Sequence, residues 1–122
     1  MREPEAALDL AVIVVSYNTK DLLHVCLTSL FCQSTPHLGV WVVDNASTDG
    51  SCEMVAESFP QVHLVALEEN VGFAGGNNVA LRAMGYGGAL ETETPSALAE
   101  YVLFLNPDTE VEEGALELWR EP

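Results

Sequence analysis

The sequence predicts an α/β fold with a mostly parallel sheet, and three observations carry the prediction. Short runs of β-branched and aliphatic residues alternate with stretches of helical spacing. The first run, Leu8 to Val15, is apolar almost without a break, as expected of a strand buried on both faces. Three of the four runs give way directly to Asn, Asp or Ser, residues that turn the chain as a strand ends, and the third reaches Asn70 after two glutamates.

Taken in order, Met1 to Ala7 reads as a polar leader that contains Pro4. After the strand Leu8 to Val15, Thr19 stands where an N-cap belongs. The helix it opens carries Leu22, Leu23, Cys26, Leu27, Leu30 and Phe31 on one face and stops before Pro36. Leu38 to Val43 is the second strand. Ser47-Thr48-Asp49-Gly50-Ser51 then supplies caps for a helix from Cys52 to Ser58, which Pro60 closes. Val62 to Leu67 is the third strand, followed by a loop, Glu68 to Gly72, and a helix that starts at Phe73 or Gly75 and runs to Met84. Residues 85–99, rich in Gly, Thr and Glu, read as a long surface connection. Tyr101 to Leu105 is the fourth strand, and Val111 to Trp119 a final short helix. Right-handed crossovers leave few other ways to arrange this alternation.

Length and composition bound the rest. The 122 residues suit one domain, since domains cluster at roughly 100–150 residues. With 48% hydrophobic and 19% charged residues the chain is expected to fold. Nineteen acidic residues against four basic ones give a formal charge of -15, which repels polyanions and argues against nucleic acid and anionic membrane surfaces as partners. Most of the carboxylates read as a solubilising surface. Cys26, Cys32 and Cys52 show no CxxC spacing and are expected to be small buried apolar residues. His24, His37 and His63 form no ligand cluster, and Trp41 and Trp119 read as core anchors. The longest apolar run, Leu10 to Val15, is far short of the roughly 20 residues that span a bilayer. The expected location is cytoplasmic, or the inner face of a membrane if sequence absent here supplies an anchor.

Ligands of open parallel sheets bind at the carboxyl ends of the strands. Those positions hold Ser16-Tyr17-Asn18, Asp44-Asn45, the loop Asn70 to Asn78, and Asn106-Pro107-Asp108. The glycines of Gly72 to Gly76 follow the pattern G-x-x-G-G, which is neither the dinucleotide fingerprint nor a P-loop. Glycine lets a backbone approach a ligand closely, and free N–H groups of a helix starting near Gly75 favour an anion. The absence of a glycine fingerprint after the first strand speaks against a dinucleotide oxidoreductase.

Together VIVVSYN, VVDNASTDGS, NVGFAGGNN and YVLFLNPDT resemble, in order and over nearly the whole chain, the opening motifs of family 2 glycosyltransferases, close to the rhamnosyltransferase-like branch. The resemblance implies the GT-A fold, a Rossmann-like three-layer sandwich with a nucleoside-diphosphate-sugar pocket along this rim. It implies that Ser16, Tyr17 and Asn18 pack beside the base and ribose. Asp44, with Asn45 beside it, would accept a ring N–H such as uracil and thymine offer. Gly75, Asn77 and Asn78 would also line the nucleotide. Asn106 and Asp108 occupy the family's DxD position, with Asn in the first place, so that Asp108 would bind Mg2+ or Mn2+ and Asn106 would contact ribose or metal. A cation is also what a chain of charge -15 needs in order to hold a diphosphate, because Arg2, Lys20, Arg82 and Arg120 are few and scattered.

The family's catalytic base lies well downstream of the DxD position, and no residue here is assigned to it. Glu110, Glu112 and Glu113 read instead as acidic residues at a helix start. The function implied is donor binding within an inverting glycosyltransferase that uses a UDP- or dTDP-linked sugar. A sugar or glycolipid acceptor would enter once a carboxyl-terminal half, or a second copy of the chain, completes the site. The other reading is a stand-alone nucleotide-binding or regulatory module without transferase activity.

Overall fold

The computed structural model describes residues 8–33, 38–84 and 99–112. Its elements in chain order are β1 (Leu8–Ser16), α1 (Lys20–Phe31), β2 (Leu38–Asp44), α2 (Ser51–Ser58), β3 (His63–Ala66), α3 (Gly72–Ala83) and β4 (Ala99–Leu105). The described strands make one four-stranded sheet in the order β3-β2-β1-β4, and every pairing in it is parallel.

β1 is central because its sequence allows it to be. Residues Leu10 to Val15 are all buried, and the strand bonds to β2 along one edge and β4 along the other. Successive side chains alternate between faces. Leu10, Val12 and Val14 meet Leu23, Cys26, Leu27 and Leu30 of α1, and Met54 and Val55 of α2. Ala11, Ile13 and Val15 meet Ala80 of α3 and Met84, the residue that ends that helix. The result is a helix-sheet-helix sandwich, the layering expected from sequence. Each fully buried aliphatic side chain contributes about 1.5–3 kcal/mol, so this uninterrupted strand is a large share of what holds the layers together.

Topology then locates the rim that matters. The crossovers β1-α1-β2 and β2-α2-β3 step in one direction and keep their helices on one face. The connection containing α3 reverses direction to reach β4, and right-handedness puts α3 on the opposite face. The strand order therefore switches between β1 and β4, the place where open α/β sheets leave a crevice at their carboxyl ends.

Several sequence expectations shift. Leu22 is 50% exposed, so the buried face of α1 is narrower than the apolar pattern suggested, and the buried Ser29 belongs to it. Cys26 is buried as expected, whereas Cys32 follows the helix as its C-cap and is exposed. Trp41 is buried as expected and stacks on His63 with ring centroids 4.3 Å apart. Helix α3 begins at Gly72, earlier than Phe73 or Gly75, and β4 begins at Ala99, within the stretch read as a surface connection. Val111 and Glu112 lie outside any helix. The leader, His37, residues 85–98, Trp119 and the remainder of the expected final helix lie outside the described residues. Among the described residues no helix is long and apolar enough to cross a membrane.

The glycines of α3 acquire a packing role. A Cβ on Gly76 would stand 2.7 Å from Cγ1 of Val15, and one on Gly75 would stand 3.1 Å from the Val71 side chain. Val15 belongs to the central strand and is stiff at χ1, so it has little room to yield. Gly76→Ala is expected to lower stability by roughly 1–2 kcal/mol in urea unfolding, because overpacking outweighs the ~1 kcal/mol by which alanine normally improves a helix. An unchanged or raised midpoint would show that α3 is free to move off β1.

Candidate functional site at the carboxyl rim of the sheet

The rim is built from strand ends that bind one another. Ser16 pairs with Asp44, and Asp44 with Ala66. The N–H of Asn45 donates to Ser16 O at 2.8 Å, and that of Leu67 to Asp44 O at 2.9 Å, so the parallel ladder continues past the strands. Thr19 occupies the N-cap position of α1 as expected, but its hydroxyl makes no cap bond and instead lies 2.8 Å from Ser16 Oγ in a hydrogen bond.

The loop after β2 ties the first two strand ends together. Ser47 binds Asp44 twice, donating its N–H to Oδ2 at 2.8 Å and its hydroxyl to Oδ1 at 2.7 Å. Ser47 Oγ also accepts the N–H of Asn18 at 2.8 Å, and Asn18 Oδ1 accepts the N–H of Thr48 at 2.8 Å. Asn18 can do this because it adopts φ +53°, a left-handed conformation that asparagine tolerates better than most residues. Asn45 reaches the other way: its Oδ1 accepts the N–H of Val71 at 3.0 Å and its Nδ2 donates to Gly72 O at 3.2 Å, fixing the start of α3.

The structure thus divides the predicted site residues into two sets. Ser16, Asp44 and Asn45 are buried in the floor, whereas Tyr17, Asn18, Asn78, Asn106 and Asp108 are exposed along the rim. Asp44 is 2% exposed and accepts a hydrogen bond from Ser47 on each oxygen, so its carboxylate builds the turn that follows β2. Gly75 lies inside α3, where a Cβ would stand against the Val71 side chain. Asn77 lies in the same helix, where its Oδ1 is buried without a hydrogen-bond partner among the described residues. Next to this region a hollow of about 580 Å³ at the end of β3 is lined by Ala66, Leu67, Glu68, Glu69 and Val71.

At the far side of β1 the chain leaves β4 through Asn106, Pro107 and Asp108, a turn closed by the Thr109 N–H donating to Asn106 O at 3.0 Å. Cys26 of α1 lies beneath it, with Sγ 4.0 Å from Asn106 O. Burial pushes the Cys26 thiol up to about 11, and the charge of Asp108 adds to the effect. Among the described residues no three His, Cys, Asp or Glu side chains cluster to hold a metal. A single exposed carboxylate beside an amide oxygen suits a hard cation that takes its other ligands from substrate phosphates and water, as Mg2+ and similar ions do.

A model of glycosyl transferase family 2 matches residues 11–119. The chain belongs to this family. Over 88% of its length it is 34% identical to the putative teichuronic acid biosynthesis glycosyltransferase TuaG of Bacillus subtilis (strain 168), covering 38% of that protein. The crystal structure of S. aureus TarS 1–349 in complex with UDP-GlcNAc superposes with a TM-score of 0.72 at 29% identity, over 92% of this chain and 30% of that one. Mannosyltransferase PcManGT from Pyrobaculum calidifontis, in complex with GDP-Man and Mn2+, gives a TM-score of 0.53 at 38% identity, over 61% of this chain and 24% of that one. The family 2 chain therefore spans less than two fifths of the length of these relatives.

Two residues of this site escaped the sequence reading. Ser47 joins β1 to β2 through Asn18 and Asp44. Asp49 closes two helices at once: Oδ2 accepts the N–H of Lys20, the first residue of α1, at 3.0 Å, and Oδ1 accepts the N–H of Ser51, the first residue of α2, at 3.1 Å and the Ser51 hydroxyl. The sequence marked Asp49 only as a local cap, since its reach to Lys20 spans 29 positions. The Ser51 hydroxyl, followed by the Lys20 and Ser51 N–H groups, holds the Asp49 carboxyl below its usual 3.8. A carboxyl depressed in the folded state contributes stability above the unfolded value and loses it as pH falls through the folded one. Asp49→Ala is expected to cost roughly 1 kcal/mol near pH 7, as loss of a cap does. The gap from wild type should close below pH 3.8, measured by thermal unfolding across pH. A gap that persists unchanged into acid would remove the carboxylate from the account.

Proposed function

We propose that the chain is the donor-binding part of an inverting glycosyltransferase that moves a sugar from a nucleoside diphosphate to an acceptor hydroxyl. The observation that carries this reading is the exposed set Tyr17, Asn18, Asn106 and Asp108 on either side of the β1/β4 switch point, above a floor made rigid by Asp44, Asn45 and Ser47. The half-exposed Tyr17 ring offers a face for a base or ribose, and Asn18, already fixed by Ser47 and Thr48, limits where that ring can lie. Asp44 keeps lone pairs for a ring N–H at the floor of the pocket.

Asp108 would hold Mg2+ or Mn2+, with Asn106 beside it as a neutral oxygen donor. When bound, such an ion neutralises the diphosphate and stabilises it as a leaving group. The need is strong here, since the chain carries a formal charge of -15 and an unscreened diphosphate would be repelled. TarS in complex with UDP-GlcNAc and PcManGT in complex with GDP-Man and Mn2+ support the ligand class and the ion. An acceptor site and a base to deprotonate the acceptor would come from chain beyond these residues or from a second copy.

Calorimetric titration of UDP, dTDP, GDP and ADP, with and without Mn2+, tests the reading. A pyrimidine diphosphate is expected to bind at least about tenfold more tightly with Mn2+, a gain that Asp108→Ala abolishes. Asp44→Asn, which keeps the volume of the buried side chain, should weaken the nucleotide with or without the ion. Equal binding of UDP with and without Mn2+ would remove the metal from the proposal, and preference for GDP would correct the base. No binding of any of the four by a folded chain would overturn the donor-site reading.

A further inference from the structure

Among the described residues the Asp108 carboxylate belongs to no cluster of ligating side chains, and it stands exposed on a turn beyond the last residue of β4. What holds that turn comes from another element. Ser29, two helical turns into α1 and 9% exposed, accepts the N–H of Val111 on Oγ at 2.9 Å and donates its hydroxyl to Cys26 O at 2.7 Å. Gln33, just past the end of α1, donates Nε2 to Glu112 O at 3.0 Å, to Val111 O at 3.4 Å and to Ser29 O at 3.1 Å. On the other side of Asp108, Asn106 O takes the Thr109 N–H and lies 4.0 Å from Cys26 Sγ.

The segment carrying Asp108 is therefore pinned at both ends to one helix. Asn106 is held over Cys26, and Val111 and Glu112 over Ser29 and Gln33. All of these bonds go to backbone atoms of the segment, and none of them uses the Asp108 carboxylate. We propose that Ser29, assisted by Gln33, is a positioning residue for Asp108: it fixes the backbone after β4 against α1, so that the carboxylate is presented at the β1/β4 crevice in one place. The chemistry suits the task. A serine hydroxyl both donates and accepts, so one buried atom can satisfy the Val111 N–H and anchor itself to the helix backbone. Removing it leaves that N–H without a partner, and the backbone around it must move or take up water.

The inference rests on the proposal that Asp108 binds a divalent cation together with a nucleoside diphosphate, and its test separates the two. UDP affinity is measured with and without Mn2+ on wild type, Asp108→Ala, Ser29→Ala, Ser29→Thr and Gln33→Met, alongside hydrogen exchange of the Val111 amide. Ser29→Ala is expected to raise Val111 exchange and to cut the Mn2+-dependent gain in UDP affinity several-fold, with affinity in the absence of Mn2+ unchanged. Ser29→Thr, which keeps the hydroxyl, should restore both readouts. Gln33→Met, at a half-buried position where misfolding is less of a hazard, should reduce the gain in the same direction. If wild type gains from Mn2+ and Asp108→Ala loses the gain while Ser29→Ala and Gln33→Met retain it, the positioning role is wrong and the metal reading stands. An equal loss of UDP affinity with and without Mn2+ would make Ser29 merely structural. Absence of any Mn2+ gain in wild type would overturn both.

Discussion

Burial of β1 on both faces, together with pairing on both of its edges, is the constraint from which the rest of the rim follows. A strand so enclosed has no freedom to shift register, because a slip of one residue would exchange Val12 and Val14 with Ile13 and Val15 between two differently shaped layers. Its end is correspondingly fixed, and neighbours are referenced to it. Asn45 binds Ser16 O directly, Asn18 is bent back onto Ser47, and Gly76 brings α3 against Val15. The β4 turn begins one residue after Leu105, the partner of Val14. The switch point thus lies at the end of the strand that is buried and paired on both edges, and a fixed frame is what orientation of a reacting group requires.

The acidity of the chain shapes how this rim is stabilised. With four basic residues against nineteen acidic ones, most carboxylates cannot find a cationic partner. Asp44 and Asp49 instead take N–H and O–H donors from Ser47, Ser51 and Lys20's backbone. Such bonds to an ionised acceptor are stronger than neutral ones and, unlike exposed ion pairs, do not ask two long side chains to give up their freedom. Ser47 and Ser51 thus act as donors to the acids beside them. Among the described residues Asp108 has no ion-pair partner either, and an uncompensated carboxylate disfavours an anion beside it.

Much of the architecture was legible because it depends on periods that a sequence displays directly. The apolar run of β1, the strand-helix alternation and the polar residues at each strand end all correspond to described elements. The errors arose where a residue's type is correct but its direction is set by distant chain. Leu22 fits the helical apolar pattern, yet only a narrow stripe of α1 meets the sheet, and Ser29 takes a place in that stripe because its hydroxyl has partners there. Thr19 has the chemistry of a cap, but Ser16 engages its hydroxyl and Asp49 supplies the cap from 29 positions away. Within Asp44-Asn45 the sequence marks a polar strand end, while only the fold shows that both residues are turned into the floor. Gly75 and Gly76 announce a close approach without saying to what, and the answer is Val71 and Val15.

The two sides of the rim are secured by different means, and the difference bears on how a nucleotide site of this kind works. On the β2 side the polar groups of the floor spend their bonds on one another, so that Asp44, Ser47, Asn18 and Asn45 form a surface whose shape is set before any ligand arrives. Preorganisation of that sort lowers the cost of ordering on binding. On the β4 side the Asp108 carboxylate is left unbonded among the described residues, and the backbone that carries it is held instead by α1. If Asp108 holds a cation as proposed, its unbonded side chain leaves both oxygens open to the ion, while the backbone that carries it is already fixed. This arrangement also makes α1 the common element of the two sides: its first N–H is tied to Asp49 in the loop after β2, and Ser29 and Gln33 in its last turn and just beyond it bind the segment after β4. Any displacement of α1 along its axis would be felt at both margins of the crevice together.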